Sequence, residues 1–169
     1  GSVVGTYWFL MMIGRLCGAS IGAKVSSRAM LTVVSTVGIA LVLGAIFCAD
    51  NILVNMPVFK SDISFGFAQV PINVMLLILC GLCTSVMWGG IFNLAVEGLG
   101  KYTAAASGLF MVMVCGGGIL PLIQGGVADF AGFLNSYWVI ALGLAYILFY
   151  AAIGSKNVNT DIPTDDYEA

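Results

Sequence analysis

Apolar residues come in five long runs, about 3–22, 30–49, 71–96, 104–124 and 136–154, separated by short polar stretches. Each is long enough to cross a bilayer as a helix, which takes about 20 residues. None alternates with a period of two, so the runs predict helices and not barrel strands. Several follow one another and no cleavage pattern closes the first, so it does not read as a signal peptide. The pattern predicts an all-α polytopic membrane bundle of five transmembrane helices. The longest connection, 50–70, mixes polarities and contains Pro57, which predicts a loop lying on the membrane surface.

Composition supports the same class. Of 169 residues 60% are hydrophobic and 8% charged, with a mean hydropathy of +1.06, against about 25% charged in a soluble domain. The net charge of -2 says little, because four of the eight acids crowd into the last nine residues, "DIPTDDYEA". Residues 155–169 therefore read as a solvated acidic tail.

Basic residues set the orientation. Lys24 and Arg28 lie between the first two spans, Lys101 between the third and fourth, and Lys156 in the tail, while the opposite side holds only Lys60. Four against one puts the 23–29 loop and the carboxy terminus in the cytoplasm, and the expected location is the inner (plasma) membrane. Tyr137 and Trp138 then mark the outer interface. Five spans leave the amino terminus outside with no segment to carry it there, and the chain opens Gly-Ser. It reads as a fragment of a longer protein.

Three glycines in "MMIGRLCGASIGAKVSSR", Gly14, Gly18 and Gly22, recur every fourth position. That spacing puts them on one helix face, a flat groove where another helix can approach closely. Arg15 sits beside the groove, nine residues before Lys24 and so about 13 Å from the cytoplasmic edge. Three readings stand: it snorkels to the headgroups, it joins a buried ion pair or polar network with Glu97 as the candidate partner, or it contacts substrate directly.

In the third span, Gln69, Asn73, Cys80, Thr84 and Trp88 fall within about 100° of one another on a helix. Polar groups in hydrocarbon need partners or water. The stripe either lines a cavity or bonds to neighbouring helices. A tryptophan at its end suits sugar recognition, since a flat ring stacks on C–H groups while polar neighbours bind hydroxyls. In the fourth span, Gly116, Gly117, Gly118 and Pro121 predict a kinked or opened helix, with Gln124 one turn beyond. Such interruptions are common where transporters bind or gate.

Other chemistry is largely excluded. With no histidine in the chain, histidine acid/base or histidine-held metal work is impossible. Cys80 and Cys83 lie one turn apart inside a span and read as buried thiols. No serine elbow, phosphate loop or paired intramembrane aspartates appear. No enzyme activity, cofactor, metal or nucleic-acid partner is expected. Glu97 and Lys101 have the spacing of an exposed helical ion pair; alternatively Glu97 pairs with Arg28 or Arg15 and latches a cytoplasmic gate.

The run "MWGGIFNLAVEGLGKYTAAASGLFMVMVCGGGILPLIQGGVADFAG", residues 87–132, resembles the fucose:proton symporter family of the major facilitator superfamily. The opening "YWFLMMIGRLCGASIGAKVSSR" looks like that family's eighth helix with its following basic loop. The resemblance implies helices eight to twelve of a twelve-helix transporter. It further implies alternating access and proton-coupled uptake of a hexose or deoxyhexose, glucose/galactose or L-fucose, with the coupling acids in the missing amino-terminal half. Trp88, Asn73, Thr84 and Gln124 become candidate substrate contacts. Arg15, Arg28, Glu97, Lys101, the three glycines and Pro121 become candidate gating or structural residues. The chain departs from the family at Trp88-Gly89-Gly90, where an aromatic-Pro-Thr run is usual, which leaves the sugar open. The alternatives are a transporter of another small solute, or a non-transporting scaffold or accessory subunit.

Overall fold

The computed structural model describes residues 1–48, 51–60 and 62–156. Five helical spans are long and apolar enough to cross a membrane, as the hydrophobic runs predict. The first two are α1, Ser2–Gly22, and α2, Ser27–Phe47. A four-residue connection joins them, and the Ser26 hydroxyl accepts from the Ala29 N–H at 3.3 Å to cap α2. That bond satisfies one of the donors every helix start leaves open.

The connection predicted as a surface loop is instead an antiparallel hairpin. Strands β1, Leu53–Phe59, and β2, Phe65–Pro71, pair from Leu53 opposite Pro71 to Phe59 opposite Phe65. Met56, Val58 and Val70 turn inward and pack with Ile78 against Val3, Tyr7 and Leu10. The Thr6 hydroxyl accepts from the Phe59 N–H at 2.9 Å, which ties the hairpin to α1. Short, proline-containing alternation hid these strands within a run of mixed polarity.

The centre of the bundle is α3, Ile72–Val96. At 1.5 Å per residue its 25 residues span about 37 Å, enough for a 30 Å hydrocarbon layer. Its buried positions cover most of its circumference, from Asn73 and Ile78 to Met87, Gly90 and Leu94, and leave Trp88, Gly89 and Asn93 exposed. Helices α1 and α2 flank it. On α1, Gly14 and Gly18 are buried, and a Cβ at either would collide with Ser85 or Val86 of α3. Gly22 does not belong to this groove. It is exposed at the end of α1, with open space where a side chain would go.

The fourth span is two helices, α4, Thr103–Met113, and α5, Gly116–Ala131. The predicted interruption exists, but it precedes Pro121. Between the two helices the N–H groups of Val114, Cys115, Gly117 and Gly118 reach carbonyls three residues back, a tight turn in place of the α ladder. Pro121 lies inside α5. Its ring needs room at the residue four positions earlier, and that residue is Gly117. The glycine run takes up the distortion, so the break falls ahead of the proline. The fifth span is α6, Tyr137–Phe149, continued by a π-helical turn, Tyr150–Gly154. It packs Ala141 and Leu144 into the core with Leu31, Val42, Cys83 and Met87.

One end of the bundle gathers the α1–α2 connection, the end of α3 and the end of α6. Arg28 Nη2 donates to the Ser155 carbonyl at 3.1 Å, and Asn93 Nδ2 to the Ser27 hydroxyl at 3.4 Å. Lys24, Arg28, Lys101 and Lys156 thus lie in or beside the connections at this end, and Lys60 of the hairpin at the other. Of the acidic tail, only Ser155 and Lys156 fall among the described residues.

Replacing Gly14 or Gly18 by leucine is expected to cost about 1–3 kcal/mol through overpacking against α3. Gly22→Leu should stay within about 0.5 kcal/mol, as at an unconstrained exposed site. Thermal unfolding of the detergent-solubilised full-length protein checks this; equal losses at all three positions would mean that the α1–α3 approach is not what the glycines serve.

Candidate functional site

From the hairpin end toward the middle of the bundle, α1, α3, α5 and α6, with Val42 of α2, line an open cavity of about 490 Å³, within the range of small-molecule sites. Its wall is apolar except for Tyr7, Cys80, Thr84, Gln124 and Tyr137. Tyr7 and Thr84 share a hydrogen bond of 3.2 Å between their hydroxyls, and Thr84 also donates to the Gly81 carbonyl at 3.2 Å. Gly81 is what lets the two helices meet here: a Cβ on it would stand 3.0 Å from the Tyr7 ring and 3.1 Å from the Tyr7 carbonyl. Gln124 reaches the cavity from α5 and has no hydrogen-bond partner among the described residues.

Two of the four candidate contacts read from the sequence, Thr84 and Gln124, therefore meet in one cavity although 40 positions apart in the chain. Tyr7 was not among the candidates. Its signal was Gly81, a residue without a side chain one turn before Thr84 on the polar stripe.

The stripe itself is shorter than predicted. Gln69 lies in β2, because α3 begins only after Pro71. Asn73 is buried, and its Nδ2 donates to the Cys48 carbonyl at 3.2 Å, joining the end of α2 to the start of α3. It also lines a second cavity of about 540 Å³ with Asn135. That space shares Val74, Leu77 and Phe133 with the first, so it forms an antechamber at the hairpin end. Trp88, two turns from Cys80, faces elsewhere. Its ring is half exposed and lies 5.2 Å from Phe110 of α4, which also meets Phe92 at 5.4 Å.

At the opposite end, Arg15 lines a cleft of about 290 Å³ with Gly89, Ser27 and Asn93. Arg28 and Glu97 line a neighbouring pocket of about 500 Å³ that shares Ser27 and Asn93. In this conformation Glu97 forms no ion pair with Arg15, Arg28 or Lys101 among the described residues. The helical Glu97–Lys101 pair fails for a local reason. The helix stops at Val96, Gly98 takes φ 75°, and Lys101 enters a 3-10 turn, Gly100–Tyr102, with its ammonium 5.2 Å from the Tyr102 ring centre.

A protein of Helicobacter pylori (strain 26695), provisionally named a glucose/galactose transporter, is 31% identical over 155 residues, 89% of this chain and 33% of its own length. The Escherichia coli K12 L-fucose-proton symporter is 32% identical over 92 residues, 54% of this chain and 21% of its own. The chain belongs to the fucose:proton symporter family of the major facilitator superfamily. A further family relative, the Brucella abortus (strain 2308) glucose/galactose transporter, is 44% identical over 77 residues, 46% of this chain and 19% of its own. The matched stretches amount to a third or less of these relatives' lengths. No family model matches the chain, and no solved structure matches it.

Because Trp88 and Phe110 are in contact, Trp88→Ala and Phe110→Ala should not act additively. A double-mutant cycle on thermal unfolding is expected to give a coupling of about 0.5–1.5 kcal/mol. A coupling indistinguishable from zero would remove the aromatic clasp between α3 and α4.

Proposed function

We propose that the chain is helices eight to twelve of a twelve-helix secondary transporter that takes a hexose or deoxyhexose into the cell, driven by protons. The observation that carries this is the coincidence of two things. The relatives are named for glucose/galactose and L-fucose transport. The cavity between α1, α3, α5 and α6 has a size suited to a small molecule, an apolar wall and a few convergent polar groups, as such sites usually do. Thr84 and Gln124 are its substrate contacts, and Asn73 lines the approach to it. Trp88 holds the fourth span and meets sugar only if Phe110 moves away.

The membrane is the plasma membrane, with the carboxy terminus cytoplasmic, and the grouping of Lys24, Arg28, Lys101 and Lys156 supports that orientation. The cytoplasmic pocket holding Arg28 and Glu97 is then the place for a latch. The two side chains line it unpaired here, and a pair formed in one state alone would bias alternating access toward that state. Coupling acids and the other half of the substrate site belong to the amino-terminal half. A scaffold reading has no comparable support.

The test is uptake of labelled glucose, galactose and L-fucose by the full-length protein in a host lacking its own sugar transporters. Accumulation of at least one sugar above its external level, abolished by a protonophore, is expected. No uptake of any monosaccharide despite correct membrane expression would end the reading.

A further inference from the structure

We infer that the Tyr7 hydroxyl accepts a hydrogen bond from a substrate hydroxyl, and that this makes the cavity selective for neutral polyols over anionic sugars. The inference rests on the sugar-transport reading above and deepens it.

A threonine hydroxyl has one proton and two lone pairs, and a phenol likewise donates once. The Gly81 carbonyl, 3.2 Å from Thr84 Oγ1, can only accept, so we assign the single Thr84 proton to it. Toward Tyr7, 3.2 Å away, Thr84 then only accepts. In that arrangement Tyr7 is the donor, so its proton is engaged as well. What remains on the Tyr7 oxygen is lone-pair density in a mostly apolar cavity.

The tyrosine ring is held by its seat on Gly81, so the acceptor is fixed in place. Gln124, on a different helix, lines the same cavity with its amide unengaged among the described residues, and it can both donate and accept. An acceptor and a donor–acceptor on two sides of one cavity suit a molecule carrying several hydroxyls. They do not suit a carboxylate or phosphate at Tyr7, where acceptor would meet acceptor. No lysine or arginine lines the cavity to neutralise such a group.

The experiment uses the full-length protein and, for the sugar it transports, the deoxy and fluorodeoxy analogues at each ring position as competitors of uptake. Fluorine cannot donate. At one position, deoxy and fluorodeoxy analogues should therefore bind equally weakly to the parent protein. Tyr7→Phe keeps the ring on Gly81 and is expected to raise KM for the sugar about three- to tenfold, the range for one neutral hydrogen bond. The variant should show no further loss with the deoxy analogue at that position. Thr84→Val returns the phenol proton to the cavity, so there the fluorodeoxy analogue should bind better than the deoxy analogue.

Unchanged KM in Tyr7→Phe with a transporting parent overturns the inference alone, as does an equal rise for every analogue, which is the mark of a merely structural tyrosine. A parent that binds the fluorodeoxy analogue as well as the sugar overturns it too, since Tyr7 would then be donating. A parent that takes up no monosaccharide overturns the sugar reading and this inference with it.

Discussion

The close approach of α1 to α3 is the constraint on which the rest of the structure depends. In hydrocarbon, lipid tails are as apolar as leucine, so burial alone does not press helices together and shape must do so. Gly14 and Gly18 supply that shape where Ser85 and Val86 come against α1, and Gly81 repeats the device from the other side under Tyr7. The three contacts fix both the rotation and the height of α1 along α3. One consequence is the meeting of the Tyr7 and Thr84 hydroxyls. Another is the cleft in which Arg15 stands beside Gly89 and Asn93. A bulky residue in place of any of these glycines would displace the cavity's polar wall along with the packing.

Polarity inside the spans is a poor guide to function until its hydrogen bonds are followed. Thr6, Ser20, Thr32, Thr36 and Ser107 each donate to the carbonyl four residues back in their own helix, and Ser85 to the one three back. Those protons are spent locally, and most of these hydroxyls can face apolar surroundings at little cost. Thr6 shows the exception, because its oxygen still accepts from the hairpin. The groups with capacity left over are few. Gln124 is the one that sits in the central cavity with its amide free among the described residues.

How far the sequence could be read follows from which interactions are local. The spans were legible because about 20 apolar residues have few other uses, and Gly14 and Gly18 because a four-residue repeat has a direct geometric meaning. The repeat could not say where the partner helix ends its contact, so Gly22 looked equivalent to the other two. Gln69 was placed on the helical stripe by its angular spacing alone, although the apolar run begins only at 71. The helix break was read from Gly116, Gly117, Gly118 and Pro121 together, which did not say that it would fall ahead of the proline, where Gly117 takes up the strain. Tyr7 was missed for a different reason. Its role depends on a hydrogen bond to a residue 77 positions away, and no periodicity within α1 encodes that.

The two polar sides of the cavity differ in how firmly they are held. Tyr7 and Thr84 belong to the glycine-packed pair α1 and α3. Gln124 belongs to the fourth span, whose two helices bury no residue and whose Gly116, Gly117, Gly118, Gly125 and Gly126 have no side chain or backbone near where a Cβ would stand. Exposure to lipid costs an apolar helix little, so this is not a sign of instability. Small residues earn their place in membrane helices by letting a neighbour come close, and these five have no such neighbour among the described residues. On the proposed reading, that neighbour belongs to the rest of a transporter about three times as long as this chain, as the Helicobacter relative is. The wall carrying Gln124 would then be positioned by the other half of the protein, while Tyr7 and Thr84 stay fixed. A substrate spanning the two walls would feel the difference between the states of such a transporter, which is the differential contact that alternating access requires.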